Sequence, residues 1–155
     1  MIITKTKYDF EPDYAIPPGD TLQEVMESLE MTQKELAVRT GLTEQTLARI
    51  FKGMQPISYE TANRLELVTQ VPASLWNNLE AQYREQMAKI EERQRLEADI
   101  EWLKTIPTKE LIARGFIDAT WDKIALLRKT LAFYGVSSVK TWQDLWGTPA
   151  VAARR

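Results

Sequence analysis

Apolar residues recur along this chain with the period of a helix, in short runs separated by turn residues. Leu22, Val25, Met26 and Leu29 fall at i, i+3, i+4 and i+7, one apolar stripe on a helix over residues 20–30. Asp20, with Gln23 three residues on, is the expected N-cap, because Pro12, Pro17, Pro18 and Gly19 interrupt any helix before it. Three further starts share one design. Thr32 precedes QKELA, Thr43 precedes EQTLARIF and Ser58 precedes YETANRL. Each hydroxyl can accept from a first-turn N–H, and Glu35 completes a capping box with Thr32. The residue before each cap is apolar (Met31, Leu42, Ile57), and the residue four after it is small or apolar (Leu36, Leu47, Ala62), the staple arrangement. Gly41 and Gly53 stand where left-handed helix endings are wanted. The pattern predicts helices over 32–40, 43–52 and 58–69.

A fifth helix starts around Pro72 and Ala73 and carries Leu75, Trp76, Leu79, Tyr83, Met87 and Ile90 on one side. The spacing of Trp76, Leu79 and Tyr83 favours core over a ligand site. Residues 91–95 are polar all round, and apolar spacing resumes at Leu96, Ile100 and Leu103. Periodicity leaves open whether this is one helix or two. In the last third, Pro107 opens KELIAR and Gly115 ends it. Asp118 or Thr120 starts a helix with Ile124, Leu127, Leu131 and Tyr134, and Ser138 caps a short one holding Trp142, Leu145 and Trp146. Trp121, Trp142 and Trp146 suit either the core of so small a unit or a partner surface. Ahead of the helices, Ile2, Ile3 and Thr4 suit a short strand.

Composition narrows the function. With 44% hydrophobic and 27% charged residues the chain is a globular protein. It has no run long enough to cross a bilayer and no apolar signal segment at its start, so a cytoplasmic protein without membrane contact is expected. It has no Cys and no His. Disulfides, thiolate or His-based zinc sites and an imidazole base are therefore excluded. The acids are dispersed at solvent-facing spacing, so no enzyme, metal or cofactor is expected.

A net charge of −2 looks wrong for a nucleic-acid binder, but the distribution matters more than the sum. Residues 17–87 hold six bases and ten acids, yet within 31–53 Lys34, Arg39, Arg49 and Lys52 face only Glu35 and Glu44. Residues 105–155 hold eight bases and four acids.

The span TQKELAVRTGLTEQTLARIFKG has the parts of a helix-turn-helix: a positioning helix, a tight turn at Gly41 and a second helix that can enter a major groove. Ala37 lets the two helices approach, and Leu42, Leu47 and Ile50 hold the second one to the core. Glu44, Gln45, Ala48 and Arg49 are left to read bases: Gln pairs with adenine, Arg with guanine, and Glu accepts from cytosine. Gln33, Thr43 and Lys52 are placed for phosphates. The same pattern also suits an ordinary bundle whose third helix has a solvated face. Leu79, Tyr83 and Met87 are dimer candidates, since two half-sites one turn apart require two copies.

The stretch from PPGDTLQEVM through TQKELAVRTGLTEQTLARIFKGMQPISYETANRLELV resembles the XRE/Cro-like helix-turn-helix family. Its continuation TQVPASLWNNLEAQYRE is similar to the HigA antitoxin branch, and the resemblance covers residues 8–87. WLKTIPTKELIARGFI and LAFYGVSSVKTWQDLW look like the second module of longer HigA-like proteins, which continue into an ImmA/IrrE-type metallopeptidase-like domain. Without His such a domain is not expected here, and the chain is then a natural short form or a fragment. The resemblance implies an all-α, lambda-repressor-like bundle with a long connecting helix and a small C-terminal helical unit. The expected division is an arm (1–16), a helix-turn-helix domain (17–87), a connecting helix (88–104) and a C-terminal unit (105–155). It further implies a homodimeric repressor of its own operator DNA that neutralises a HigB-like mRNA-cleaving toxin. Glu44 places a carboxylate on the reading face, so the operator preference of relatives does not transfer. A toxin that acts on RNA is expected to be basic, and Glu24, Glu27 and Glu30, expected on one helical face, would complement it. The alternatives are a phage-repressor-type regulator without a toxin, and an interaction adaptor that no longer binds DNA.

Overall fold

The structure, a computed structural model, describes residues 14–147. The strand expected at Ile2–Thr4 lies outside the described residues. The described chain is all helical, in the order α1 (Pro18–Ser28), α2 (Gln33–Thr40), α3 (Glu44–Phe51), α4 (Tyr59–Thr69), α5 (Ala73–Ala98), a 3-10 helix (Ile100–Thr105), α6 (Thr108–Ala113), α7 (Lys123–Tyr134) and α8 (Val139–Trp146). No helix among these residues is long and apolar enough to cross a membrane. The chain divides into two compact units that meet between Ile90 and Glu91.

In the first unit, local capping chemistry sets most of the boundaries. The hydroxyls of Thr32, Thr43 and Ser58 accept from the backbone N–H groups of Glu35, Thr46 and Thr61 at 3.1, 3.0 and 3.1 Å. Each such bond satisfies a donor with no partner inside its helix and stabilises by about 1 kcal/mol. Only the Thr32 half of the expected capping box is seen, because the Glu35 carboxylate turns to Arg39 at 3.0 Å. Gly41 is left-handed (φ 72°) at the end of α2, and Gly53 (φ 72°) follows α3.

The start of α1 differs from the expectation. Asp20 is not its cap: the helix begins at Pro18, with no side-chain cap on its first N–H groups. A proline at the first helical position has no N–H to satisfy and its φ is already helical, so it opens the helix rather than blocking it. Asp20 sits in the first turn, where its charge complements the helix dipole. At the other end α1 stops at Ser28, one residue before Leu29 could join the stripe, and Leu29 is 42% exposed.

The first core gathers Leu22, Leu36, Ala37, Leu47, Ile50, Ile57, Ala62, Leu65 and Trp76, with Val25, Met26, Met31 and Leu42 packed against it. All five helices of this unit contribute, and α3 is held between α1 and α2. Trp76, fully buried, is core rather than ligand site.

α5 is a single helix through the polar stretch 91–95 and gives way to the 3-10 helix at Ile100. In the second unit Leu96, Trp102, Ile106, Ile124, Leu127, Leu131 and Val139 form a separate core. The polar stretch is not idle there: Glu92 pairs with Arg128 at 3.2 Å, and Arg93 lies 3.9 Å from Asp122. The cap of α7 is Asp122, whose carboxylate accepts from Ile124 N–H, and neither Asp118 nor Thr120 starts that helix. The Thr120 hydroxyl instead accepts from the Asp122 N–H at 3.3 Å, a turn that delays the helix to Lys123. Ser138 caps α8 as expected. The tail tryptophans differ in burial. Trp142 stacks edge-on against buried Trp102 with ring centroids 5.2 Å apart, whereas Trp121 is 95% exposed.

Candidate nucleic-acid interface

α2, the turn at Gly41 and α3 place two short helices in sequence, and α3, packed against α1 and α2, keeps one face exposed. Leu47 and Ile50 point inward and are buried. Glu44, Gln45, Arg49 and Lys52 are exposed, and Ala48 is half-buried between them. Their spacing of 1, 4, 5 and 8 from Glu44 keeps all five on one helical face.

The charges on this face differ from those around it. Arg39 is paired with Glu35, Arg64 with Glu60 and Arg84 with Glu80. The side chains of Gln45, Arg49 and Lys52 make no hydrogen bond or ion pair with other described residues. A cation already paired must lose its partner before it meets a phosphate, whereas Arg49 and Lys52 need lose only water. The excess of positive charge over 31–53 thus resides in groups that are free to act.

Two of the residues expected at phosphates have structural partners. Gln33 Nε2 donates to the backbone oxygen of Glu44 at 3.0 Å, a strut from the start of α2 to the start of α3 that leaves its other N–H free. Thr43 Oγ1 accepts from Thr46 N–H and donates to Thr46 Oγ1 at 2.9 Å, so its one proton is already given.

Two positioning contacts escaped the sequence. Arg64 of α4 reaches the backbone oxygens of Thr40 and Gly41 at the α2–α3 turn, at 3.3 and 3.4 Å. Glu80 of α5, only 12% exposed at its side chain, accepts from Ile57 N–H at 3.1 Å and so holds the segment after α3. Both partners lie more than twenty residues away, and no spacing rule announces them.

The three dimer candidates share α5. Leu79, Tyr83 and Met87 are all half-buried, and Leu79 packs on the first core. The Tyr83 hydroxyl lies against Gly53, just past the end of α3. Leu79 and Tyr83 also line a shallow groove of about 480 Å³ with Tyr14, Ile16, Pro17 and Gln82. Of the three acids expected on one face of the first helix, Glu24 and Glu27 are exposed on α1, but Glu30 is not on the helix. It lies beyond the C-cap with φ 55°, because the chain must reverse there to begin α2.

No curated protein matches the chain. Residues 22–76 match the family model HTH_3, a helix-turn-helix. The match runs from within α1 to the start of α5 and takes in the whole of the exposed α3 face, but none of the second unit. Residues 22–76 are thus similar to a helix-turn-helix domain, and that likeness supports a DNA-binding transcription regulator.

Proposed function

We propose that the protein is the antitoxin and autorepressor of a toxin–antitoxin operon, binding operator DNA as a homodimer and neutralising a HigB-like toxin. The DNA-binding half is supported by one observation above the rest: Gln45 and Arg49 on the second helix of the motif and Lys52 at its C-cap are exposed and unpaired among the described residues. In this reading Glu44, Gln45, Ala48 and Arg49 face base edges, and Lys52 meets a phosphate. Gln33 has one N–H left for a phosphate, while Thr43 can offer only the backbone at the start of α3. Leu79, Tyr83 and Met87 would contribute to the dimer contact.

The antitoxin half rests on the resemblance of residues 69–85 to the HigA branch. The toxin would sit away from α3, so that repression and neutralisation coexist, with the exposed acids Glu24 and Glu27 offering charge to a basic partner. The alternative is a phage-repressor-type regulator without a toxin, favoured by a family match that is confined to the DNA-binding domain. Co-expression separates the two. A neighbouring gene that arrests growth alone and is silenced by this chain supports the antitoxin, and the absence of any toxic neighbour leaves the plain regulator.

A further inference from the structure

A helix that reads a groove must be presented at a fixed angle, and the turn before α3 is held locally by Leu42 N–H donating to Thr40 Oγ1 at 3.4 Å and by the Gln33 strut to Glu44, neither of which reaches the backbone oxygens at the end of α2. Thr40 and Gly41 end α2, where backbone oxygens lack partners within the helix and carry the negative end of its dipole. Gly41 is left-handed (φ 72°), a conformation that a glycine leaves easily. The Arg64 guanidinium fills this gap from α4. Its Nη1 donates to both oxygens, and its Nη2 is held by the Glu60 carboxylate at 2.9 Å. At 3.3 and 3.4 Å the two bonds are individually weak, but they share a full charge and act on successive peptide units. A side chain at residue 41 would come within 3.2 Å of the same nitrogen, so the glycine and the arginine occupy matched space.

We propose that Arg64 is a positioning residue for DNA binding: it sets the α2–α3 turn, and through it the aim of α3, without touching DNA. This rests on the DNA-binding reading above. The ion pair to Glu60 orients the guanidinium but is not itself the link to the turn, since Glu60 is exposed on α4.

The test uses the full chain and the best duplex recovered from a random pool, against a scrambled duplex of the same composition. Affinities are measured over a salt series, well below the melting temperature. For Arg64→Ala the expected result is about a tenfold loss on the selected duplex, the scale of one misplaced base contact. Affinity for the scrambled duplex and the slope of affinity against salt should stay as in the parent. Glu60→Ala should keep most of the discrimination. A slope lower by about one would make Arg64 a phosphate contact and overturn the proposal. Unchanged discrimination in a folded Arg64→Ala chain would also overturn it, leaving at most a contribution to the melting temperature. If Arg64→Ala does not fold, Arg64→Lys carries the test: it keeps the charge for any phosphate but loses the planar fork. Lost discrimination with an unchanged slope then supports positioning, and parental discrimination overturns it. A parent chain that prefers no duplex would bring down the DNA-binding reading itself, a result distinct from either.

Discussion

A methyl group added at Gly19 would run into the backbone oxygen of Ile50 and the Cα of Phe51. Neither atom can move without shifting α3, so Gly19→Ala should destabilise by about 2 kcal/mol through overpacking. A lowered thermal midpoint with an intact fold would be the sign of it. The residue thus ties the entry of α1 to the end of the helix expected to read DNA. On α3 and at its C-cap, Arg49 and Lys52 are both exposed and unpaired among the described residues, yet they should behave differently. Arg49→Ala should cost about 1–3 kcal/mol per half-site and relax one base preference. Lys52→Ala should weaken all duplexes alike and lower the salt slope by about one. Gel shifts of both variants over a set of single-base changes distinguish these outcomes. Equal, parental binding by both would remove α3 from the interface.

At the scale of elements, α3 is a short helix that survives by being held at each end. Gln33 and Arg64 secure its entry, and Glu80 secures the segment that follows it. Glu80→Ala would leave the Ile57 N–H and the Arg84 guanidinium without their partner. An unsatisfied buried donor costs about 1–3 kcal/mol, and early hydrogen exchange should appear across residues 52–57. Protection equal to the parent there would show that Glu80 is not the anchor. In the second unit the tryptophans should part company in the same way. Trp102→Ala empties a core position and should cost about 3–5 kcal/mol. Trp121→Ala, at a position almost wholly exposed, should stay within about 0.5 kcal/mol. A large melting shift on the second substitution would mean that something covers Trp121 in solution.

At the scale of the whole molecule, two cores with no shared buried residue imply two units of stability. A chain ending at Ile90 keeps every residue of the first core and all of α3. It should melt cooperatively and retain the duplex preference of the full chain. Loss of the cooperative transition would show that the second unit is needed for the first to fold. Light scattering on the same two chains addresses the dimer: a monomer at micromolar concentration, free and on DNA, would remove α5 as an interface.

Local spacing was enough to place the starts of α2, α3, α4 and α8, because a cap is a bond between residues two or three apart and needs no partner from elsewhere. The same spacing assigned the inward set Leu36, Leu47 and Ile50 and the outward set Gln45 and Arg49, since helical period alone assigns a face. Its failures share a cause. Whether Pro18 and Gly19 break a helix or open one depends on α3, thirty residues on, coming close enough to require a glycine. Whether Glu30 joins Glu24 and Glu27 depends on where the chain must turn to bring α2 onto the core. Which tail tryptophan packs on the core depends on how α7 and α8 close over Trp102. The bonds of Arg64 to the turn before α3 and of Glu80 to the segment after it are decided in the same way, because a hydrogen bond between residues 23 or 24 apart exists only once the helices are packed.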